Sequence, residues 1–333
     1  MQNRQVVLTE RAGGIPRPEH FELTTAEVPG TPAGGLLIRN HYLSVDPAMR
    51  GWINDTKGYL APVPIGGVMR SLAVGEVVGS DSPDYREGDF VTGWFGWQEI
   101  AAVDTDKVIR KVHQSEGPLT ASLGVLGLNG ITAYLAFTGI GKPEPGETVL
   151  VSTAAGAVGS IVGQIARLKG CRTVGLTGSD DKVSQCTEEF GYDAALNYKT
   201  CGDLSAAVAA ACPDGIDIFF DNTAGPIADS VFGAMNLFGR IIQCGTASIA
   251  NWEPLPEGPR RERFFITKRL LQQGFVVFDH FDKWPETIDR LSAWLKSGEL
   301  RYREDIRDGL GEAPQALLDL YEGTNRGKTL IRV

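Results

Sequence analysis

ETVLVSTAAGAVGSIVGQIARLKG, running from Glu147 to Gly170, is the stretch whose reading decides the fold. Thr148 to Ser152 is a short β-branched run bounded by turn residues. After Ala157 the apolar residues Val158, Ile161, Val162, Ile165, Ala166 and Leu168 recur at helical spacing. The stretch predicts strand, tight turn, helix. Between strand and helix lies AAGAVG, where Gly156 and Gly159 hold the last two glycine positions of the GxGxxG dinucleotide fingerprint and Ala154 replaces the first. A glycine at 156 lets backbone approach a pyrophosphate, one at 159 lets helix and strand pack closely, and free N–H groups at a helix start attract the anion. Ala155, Gly156, Ala157, Val158 and Gly159 are therefore the candidate phosphate cradle. Taken alone, so degenerate a motif is equally an ordinary strand-to-helix corner.

The residues downstream of Gly170 supply the context. RTVGLTG (Arg172 to Gly178) reads as a second strand, Asp180 to Gly191 as a helix with an acidic first turn and a glycine stop, and Ala194 to Tyr198 as a third strand. GDLSAAVAAAC then reads as a helix, GIDIFFDNTAG as a buried strand, IADSVFGAMNLFG as a helix and RIIQCG as another strand. A helix around Glu262 to Gln272 and a sixth strand, Gly274 to Phe278, complete the series. Strands alternating with helices imply right-handed crossovers and a parallel, doubly wound sheet, the dinucleotide-binding (Rossmann) fold.

The end of the second strand argues for the cofactor. NAD enzymes place a carboxylate about 20 residues past the glycines to accept the ribose 2′-hydroxyl, where it repels a 2′-phosphate. Here the strand ends Thr177, Gly178, Ser179, with Lys182 one turn on. Small donors plus a cation suit a phosphate, which favours NADPH. Asp180 and Asp181 start the helix, where carboxylates complement the macrodipole.

At 333 residues the chain is long enough for two domains. No apolar run is long enough to cross a bilayer, and the start MQNRQ lacks secretory features, so no membrane is expected. A net charge of −9 with no basic block argues against a nucleic-acid partner. The five cysteines are scattered and odd in number beside four histidines. None forms a metal-binding cluster, which implies reduced thiols and a cytoplasmic location.

Residues 1 to about 122 have another texture, with short β-type runs and many Gly and Pro turns. RQVVLTE, HFELTTAEVP and GGLLIRNHYLSV read as strands, as do Ala73 to Val78, Gly88 to Phe95 and Lys107 to Val112. The tail returns to β character in ELRYRED, then a helix around Gly311 to Glu322, then GKTLIRV. A final strand placed there would most economically rejoin the first domain.

Several phrases carry a family resemblance: LSVDPAMRG (Leu43 to Gly51), GDFVTGWFGWQEI, LGVLGLNGITAYLAF, AAGAVGSIVGQIARLKGCRTVGLTGSDDK, NYKT, DNTAG, GFVVFD and EGTNRGKTLIRV. With these the chain resembles the medium-chain dehydrogenase/reductase superfamily, in its zinc-free branch of leukotriene B4 12-hydroxydehydrogenase, prostaglandin, alkenal and curcumin reductases. The resemblance covers nearly the whole chain. It implies an α/β fold class, with a GroES-like β domain over 1–122 and 299–333 and a Rossmann NADPH-binding domain over 123–298. It also implies a homodimer joined edge to edge near the strand after Gly274. By position, Lys182 and Tyr198 look like 2′-phosphate and adenosine-side contacts, and Asn222, Cys244, Thr246 and Asn325 look like residues near the nicotinamide and its ribose. Plainer alternatives stay open for each: a strand-end tyrosine, a turn former, a small core residue, a self-satisfied loop residue.

The zinc ligands of metal-dependent relatives are missing, with Val45 at the first ligand's place and no His-Glu pair in AVGEVVG. Without a metal, reduction of a conjugated C=C bond is the easier chemistry. Hydride adds to the β carbon, charge moves to the carbonyl oxygen, and hydrogen-bond donors must meet it there. Tyr59, in NDTKGYLAPVP, falls where relatives carry a tyrosine near the substrate. Relatives commonly have another tyrosine after GFVV, but here the sequence reads GFVVFDHFDKW, leaving His280 as the candidate donor or a surface histidine. Trp52, Trp94, Trp97, Trp252 and Phe281 are candidate walls for an apolar substrate. The expected substrate is a small enone or enal. A zinc-free quinone reductase and a non-catalytic NADPH-binding protein are the alternatives.

Overall fold

The computed structural model describes residues 2–54, 58, 60–250, 252 and 254–333. Contacts divide the chain into two compact units, Met1–Gly124 with Glu304–Val333, and Val125–Arg303.

The first unit begins with β1 (Gln2–Leu8) and β2 (Phe21–Glu27), an antiparallel pair in which Leu8 faces Phe21. It continues through β3 (Leu36–Ser44), a short helix α1 (Met49–Ile53), β4 (Leu72–Ser80), β5 (Phe90–Trp94), β6 (Ile100–Val103) and β7 (Val108–Lys111). Leu36, Ile38 and Leu43 of β3 are fully buried with Phe95 and Trp97.

The second unit holds α2 (Leu128–Ala136), β8 (Thr148–Ser152), α3 (Gly159–Leu168), β9 (Arg172–Thr177), α4 (Asp180–Ser184), β10 (Ala194–Asn197), α5 (Leu204–Ala211) and β11 (Ile216–Asp221). It closes with α6 (Gly225–Asp229), β12 (Met235–Gln243), α7 (Glu262–Lys268), β13 (Leu271–Gly274) and α8 (Trp284–Ser297). Its sheet runs β10-β9-β8-β11-β12-β13, and every pairing is parallel. All five residues of β8 are buried, as a central strand is when helices cover both faces of a parallel sheet. Helix α3 stops at Gly170, at φ 78°, where the Cys171 N–H reaches back to Ala166 O at 3.0 Å.

The chain then returns to the first unit as β14 (Glu304–Asp308), α9 (Ala313–Glu322) and β15 (Lys328–Arg332). β15 pairs antiparallel with β3, Leu330 opposite Ser44, and parallel with β14, giving the order β14-β15-β3-β4-β5-β7 with β6 also on β3.

Three expectations are corrected. The sixth strand is Leu271–Gly274 rather than Gly274 to Phe278, and Val277–Lys283 is a 3-10 stretch. Helix α7 ends at Lys268 because Arg269 turns to φ 51°, and β12 ends at Gln243, so residues past Phe275 have no ladder to join. The segment MNLFG is strand, not helix: α6 is one turn long, and β12 already pairs with β11 at Met235 opposite Ile216. Sequence reading passed over α1, β6 and α8, although α8 carries a proline in its first turn and a glycine stop at φ 79°.

Candidate dinucleotide site

The parallel sheet reverses its winding between β8 and β11, and ligands of such sheets bind at the carboxyl ends of the strands there. Past Ser152 the backbone turns at Thr153, φ 55°. The Ala154 N–H donates to Leu176 O at 3.0 Å, Gly156 N–H to Thr153 O at 2.9 Å and Ser160 N–H to Gly156 O at 3.0 Å. A Cβ at Gly159 would lie 2.3 Å from Thr153 O, and one at Gly156 2.9 Å from Thr153 Cγ2. Glycine is required at 159 because loop and helix meet without room for a methyl group. Among the described residues, none accepts from the N–H groups of Ala155, Ala157 and Val158, which lead into the ten-residue α3. That is the donor set a pyrophosphate needs. Sequence reading missed two supports: the Tyr192 hydroxyl donates to Gly159 O at 2.6 Å, and its ring lies where a Cβ at Gly163 would meet Cζ at 2.1 Å.

The carboxyl ends of β9 and β10 form a second corner. Ser179 caps α4, its Oγ accepting from the Lys182 N–H at 3.3 Å. Asp180 is tied off by Asn197, whose Nδ2 donates to its carboxylate at 2.8 Å. Tyr198 is half-buried, and a Cβ on Gly178 would sit 2.8 Å from its Oη and 3.3 Å from Lys199 Cε. Burial pushes the Tyr198 phenol above its ordinary value, so it keeps its proton and can donate. Gly178, Ser179, Lys182 and Tyr198 thus share one corner with Lys199, which sequence reading overlooked although it is the lysine of NYKT. A donor hydroxyl and two lysines fit a phosphate.

The third group lies at the ends of β11 and β12. Asn222 bridges to β8: its N–H donates to Ser152 Oγ at 2.8 Å and its Nδ2 to Ser152 O at 2.7 Å. The Cys244 N–H donates to Asp221 O at 2.8 Å. Its thiol is pushed up to about 12, by burial first and by the Asp221 charge second, so it is protonated near neutral pH. Thr246 is half-buried, and its carbonyl accepts from the Ile249 N–H at 3.0 Å. The carboxylate of Asp221, 1% exposed, accepts from Ser152 Oγ, from the N–H and hydroxyl of Thr223, from the Ala224 N–H and from Gln243 Nε2, all between 2.8 and 3.1 Å.

His280 stacks on Phe275, with centroids 5.0 Å apart and planes 10° from parallel. Tyr59 lies outside the described residues. In the first unit Asn325 is buried and its Nδ2 donates to Gly327 O at 3.0 Å, within its own turn. Trp97 is a core residue, fully buried with Nε1 donating to Ser44 O at 3.3 Å, and Trp52 meets Trp94 edge-on at 5.6 Å. Trp252 and Phe281 are exposed, and Phe281 packs on Trp284. Around Val45, the buried Lys328 ammonium donates to Ser44 Oγ at 2.7 Å, Val45 O at 2.9 Å and the Asp46 carboxylate at 2.6 Å. Lys328 and Asp46 were not singled out from the sequence, where a lysine and an aspartate 282 residues apart give no sign of pairing.

Fold and site together define a doubly wound nucleotide-binding unit whose second strand ends in a phosphate-suited corner. A family model described as the N-terminal domain of oxidoreductase matches residues 4–112, and one described as zinc-binding dehydrogenase matches 157–293. The NADPH-dependent curcumin reductase of Escherichia coli K12 is 41% identical over 337 residues, spanning 100% of this chain and 97% of its own. The 2-alkenal reductase (NADP(+)-dependent) of Nicotiana tabacum is 38% identical, spanning 100% and 98%. Among solved structures, CurA from Vibrio vulnificus in complex with NADPH matches with a TM-score of 0.93 at 38% identity, over 99% of each chain. The chain belongs to the medium-chain dehydrogenase/reductase superfamily, in its zinc-free branch of prostaglandin, alkenal and curcumin reductases.

Proposed function

We propose that this chain is an NADPH-dependent reductase of the conjugated C=C bond of α,β-unsaturated aldehydes and ketones. It is an NADP-dependent oxidoreductase by family, and NADPH is its cofactor. The observation that carries the finer reading is its end-to-end likeness to reductases named for curcumin and for 2-alkenals. The backbone of Ala155, Gly156, Ala157, Val158 and Gly159 holds the pyrophosphate. Gly178, Ser179, Lys182, Tyr198 and Lys199 receive the 2′-phosphate. Asn222, Cys244 and Thr246 attend the nicotinamide and its ribose. When bound, the reduced nicotinamide supplies a hydride to the substrate's β carbon. Charge then gathers on the carbonyl oxygen, and Tyr59 and His280 are the side chains proposed to donate to it or to pass a proton to the α carbon. Stacking on Phe275 fixes the plane of His280 and turns its ring nitrogens sideways, which supports a directed hydrogen bond.

The test is NADPH oxidation with trans-2-alkenals, an enone and a quinone in parallel, with product analysis. Saturated aldehydes and ketones are expected. Allylic alcohols or hydroquinones alone would overturn the reaction while leaving the cofactor intact.

A homodimer belongs to the same proposal. β13 ends the sheet, all four of its residues are exposed, and Leu237, Phe238 and Ile266 are exposed as well. An open edge beside apolar surface is suited to pairing with a second copy. Sedimentation should give twice the chain's mass, and Leu271→Lys should shift it toward monomer.

A further inference from the structure

We infer that Asp221 is the positioning residue for the nicotinamide half of the site. The inference rests on the placement of Asn222, Cys244 and Thr246 beside the nicotinamide proposed above. The Asp221 carboxylate is almost wholly buried and has no cationic partner among the hydrogen bonds it receives. A charge is kept in such a place only when donors surround it. Here five donors do, and they come from three strand ends.

The five donors restrain three different segments. Ser152 Oγ, at 3.1 Å, belongs to the last residue of β8, next to the Thr153 turn. The Thr223 N–H at 2.8 Å, its hydroxyl at 3.0 Å and the Ala224 N–H at 2.9 Å fix the turn into α6, where Ala224 is held at φ 56°. Gln243 Nε2, at 3.1 Å, ends β12 immediately before Cys244. Because Ser152 donates to Asp221, its oxygen is oriented to accept from the Asn222 N–H at 2.8 Å. The Asp221 backbone carbonyl also takes the N–H groups of Cys244 at 2.8 Å and Gly245 at 3.1 Å. Asn222 and Cys244 are therefore both held from this one residue, and Thr246 follows directly on Gly245.

The 2′-phosphate corner is held by other bonds, from the Lys182 N–H to Ser179 Oγ and from Asn197 Nδ2 to the Asp180 carboxylate. A defect at Asp221 should consequently divide the cofactor into an affected half and an unaffected half. Asp221→Asn keeps the size but turns an acceptor into an NH₂ group facing donors on one side or the other.

The experiment measures binding of NADPH and of 2′,5′-ADP to wild type and to Asp221→Asn by calorimetry, with the nicotinamide fluorescence of bound NADPH recorded alongside. Loss of hydrogen bonds to a charged acceptor should weaken NADPH about tenfold or more. The fluorescence change of the bound nicotinamide should be lost, and the 2′,5′-ADP Kd should stay within about twofold. Thr223→Val, which removes one donor and keeps the carboxylate, should move NADPH in the same direction by about threefold and decides the matter if Asp221→Asn does not fold. Equal weakening of both ligands, or no change for NADPH, would overturn the inference. Failure of 2′,5′-ADP to compete with NADPH on wild type would instead overturn the assignment of the 2′-phosphate corner on which the comparison depends.

Discussion

Lys328→Met should be among the most destabilising single substitutions in the first unit. Lys328 and Asp46 are 4% and 5% exposed, and the ammonium spends its three protons on Ser44 Oγ, Val45 O and the Asp46 carboxylate. Methionine preserves the apolar stem and removes all three donors. Asp46 then keeps only the hydroxyl of Ser44 among these contacts, a buried charge with its counter-charge gone. Breaking one side of a buried ion pair costs about 3–5 kcal/mol, and an unmet Val45 carbonyl adds on the order of 1 kcal/mol. Relaxation around the site returns part of this, so about 4 kcal/mol is the expected loss. The reporter is built in, since the Trp97 indole donates to the carbonyl of Ser44. Urea unfolding followed by tryptophan emission, with hydrogen exchange separating the two units, measures the change. The double variant Lys328→Met with Asp46→Leu removes both charges and should recover much of the loss. A loss below about 1 kcal/mol in the single variant, or a double variant as damaged as the sum of its singles, would refute the reasoning.

In the 2′-phosphate corner, Lys182→Ala should raise the KM for NADPH about tenfold while leaving NADH nearly unchanged, because the lost contact is to the 2′-phosphate; equal effects on both cofactors would contradict the assignment. Gly159→Ala places a methyl group 2.3 Å from Thr153 O, so the loop must shift; a stability loss of about 1–3 kcal/mol and impaired NADPH binding by calorimetry are expected. The thiols of Cys186 and Cys244 are each pushed up to about 12, chiefly by burial. Folding therefore favours their protonated forms, and this contribution is complete below the ordinary value of 9.0 and is lost as pH rises from there toward 12. The urea midpoint should fall across that window and fall less in Cys186→Ala. Both thiols should also resist iodoacetamide at pH 7 in the folded protein, and rapid labelling of Cys244 there would contradict its protonated state.

Much of the second unit was legible because its signals are local. β8, α3 and β9 follow from a β-branched run, a helical apolar period and two glycines within about thirty residues. The boundaries that went astray lie where local preference meets a distant partner. MNLFG has an apolar pattern compatible with a helix, but β11 offers Ile216 opposite Met235 and the segment extends as strand. GFVVF is β-prone by composition, yet β12 stops at Gln243 and leaves it nothing to pair with. In the site, the glycine loop and the Ser179–Lys182 corner could be read from spacing, whereas Lys199, Tyr192 and Asp221 could not, because their roles depend on neighbours from other strands.

By itself the sequence determined the alternation of strand and helix, the glycine turn between β8 and α3, the missing zinc ligands and the choice of NADPH. All of these depend on residues close together in the chain, or on which residue types are present at all. Tertiary structure alone decided which donors meet Asp221 across 69 and 22 residues, and which cation meets Asp46 across 282. The physical reason is the same in each case: a buried charge is stable only where folding brings its partners, and chain order carries no record of that meeting.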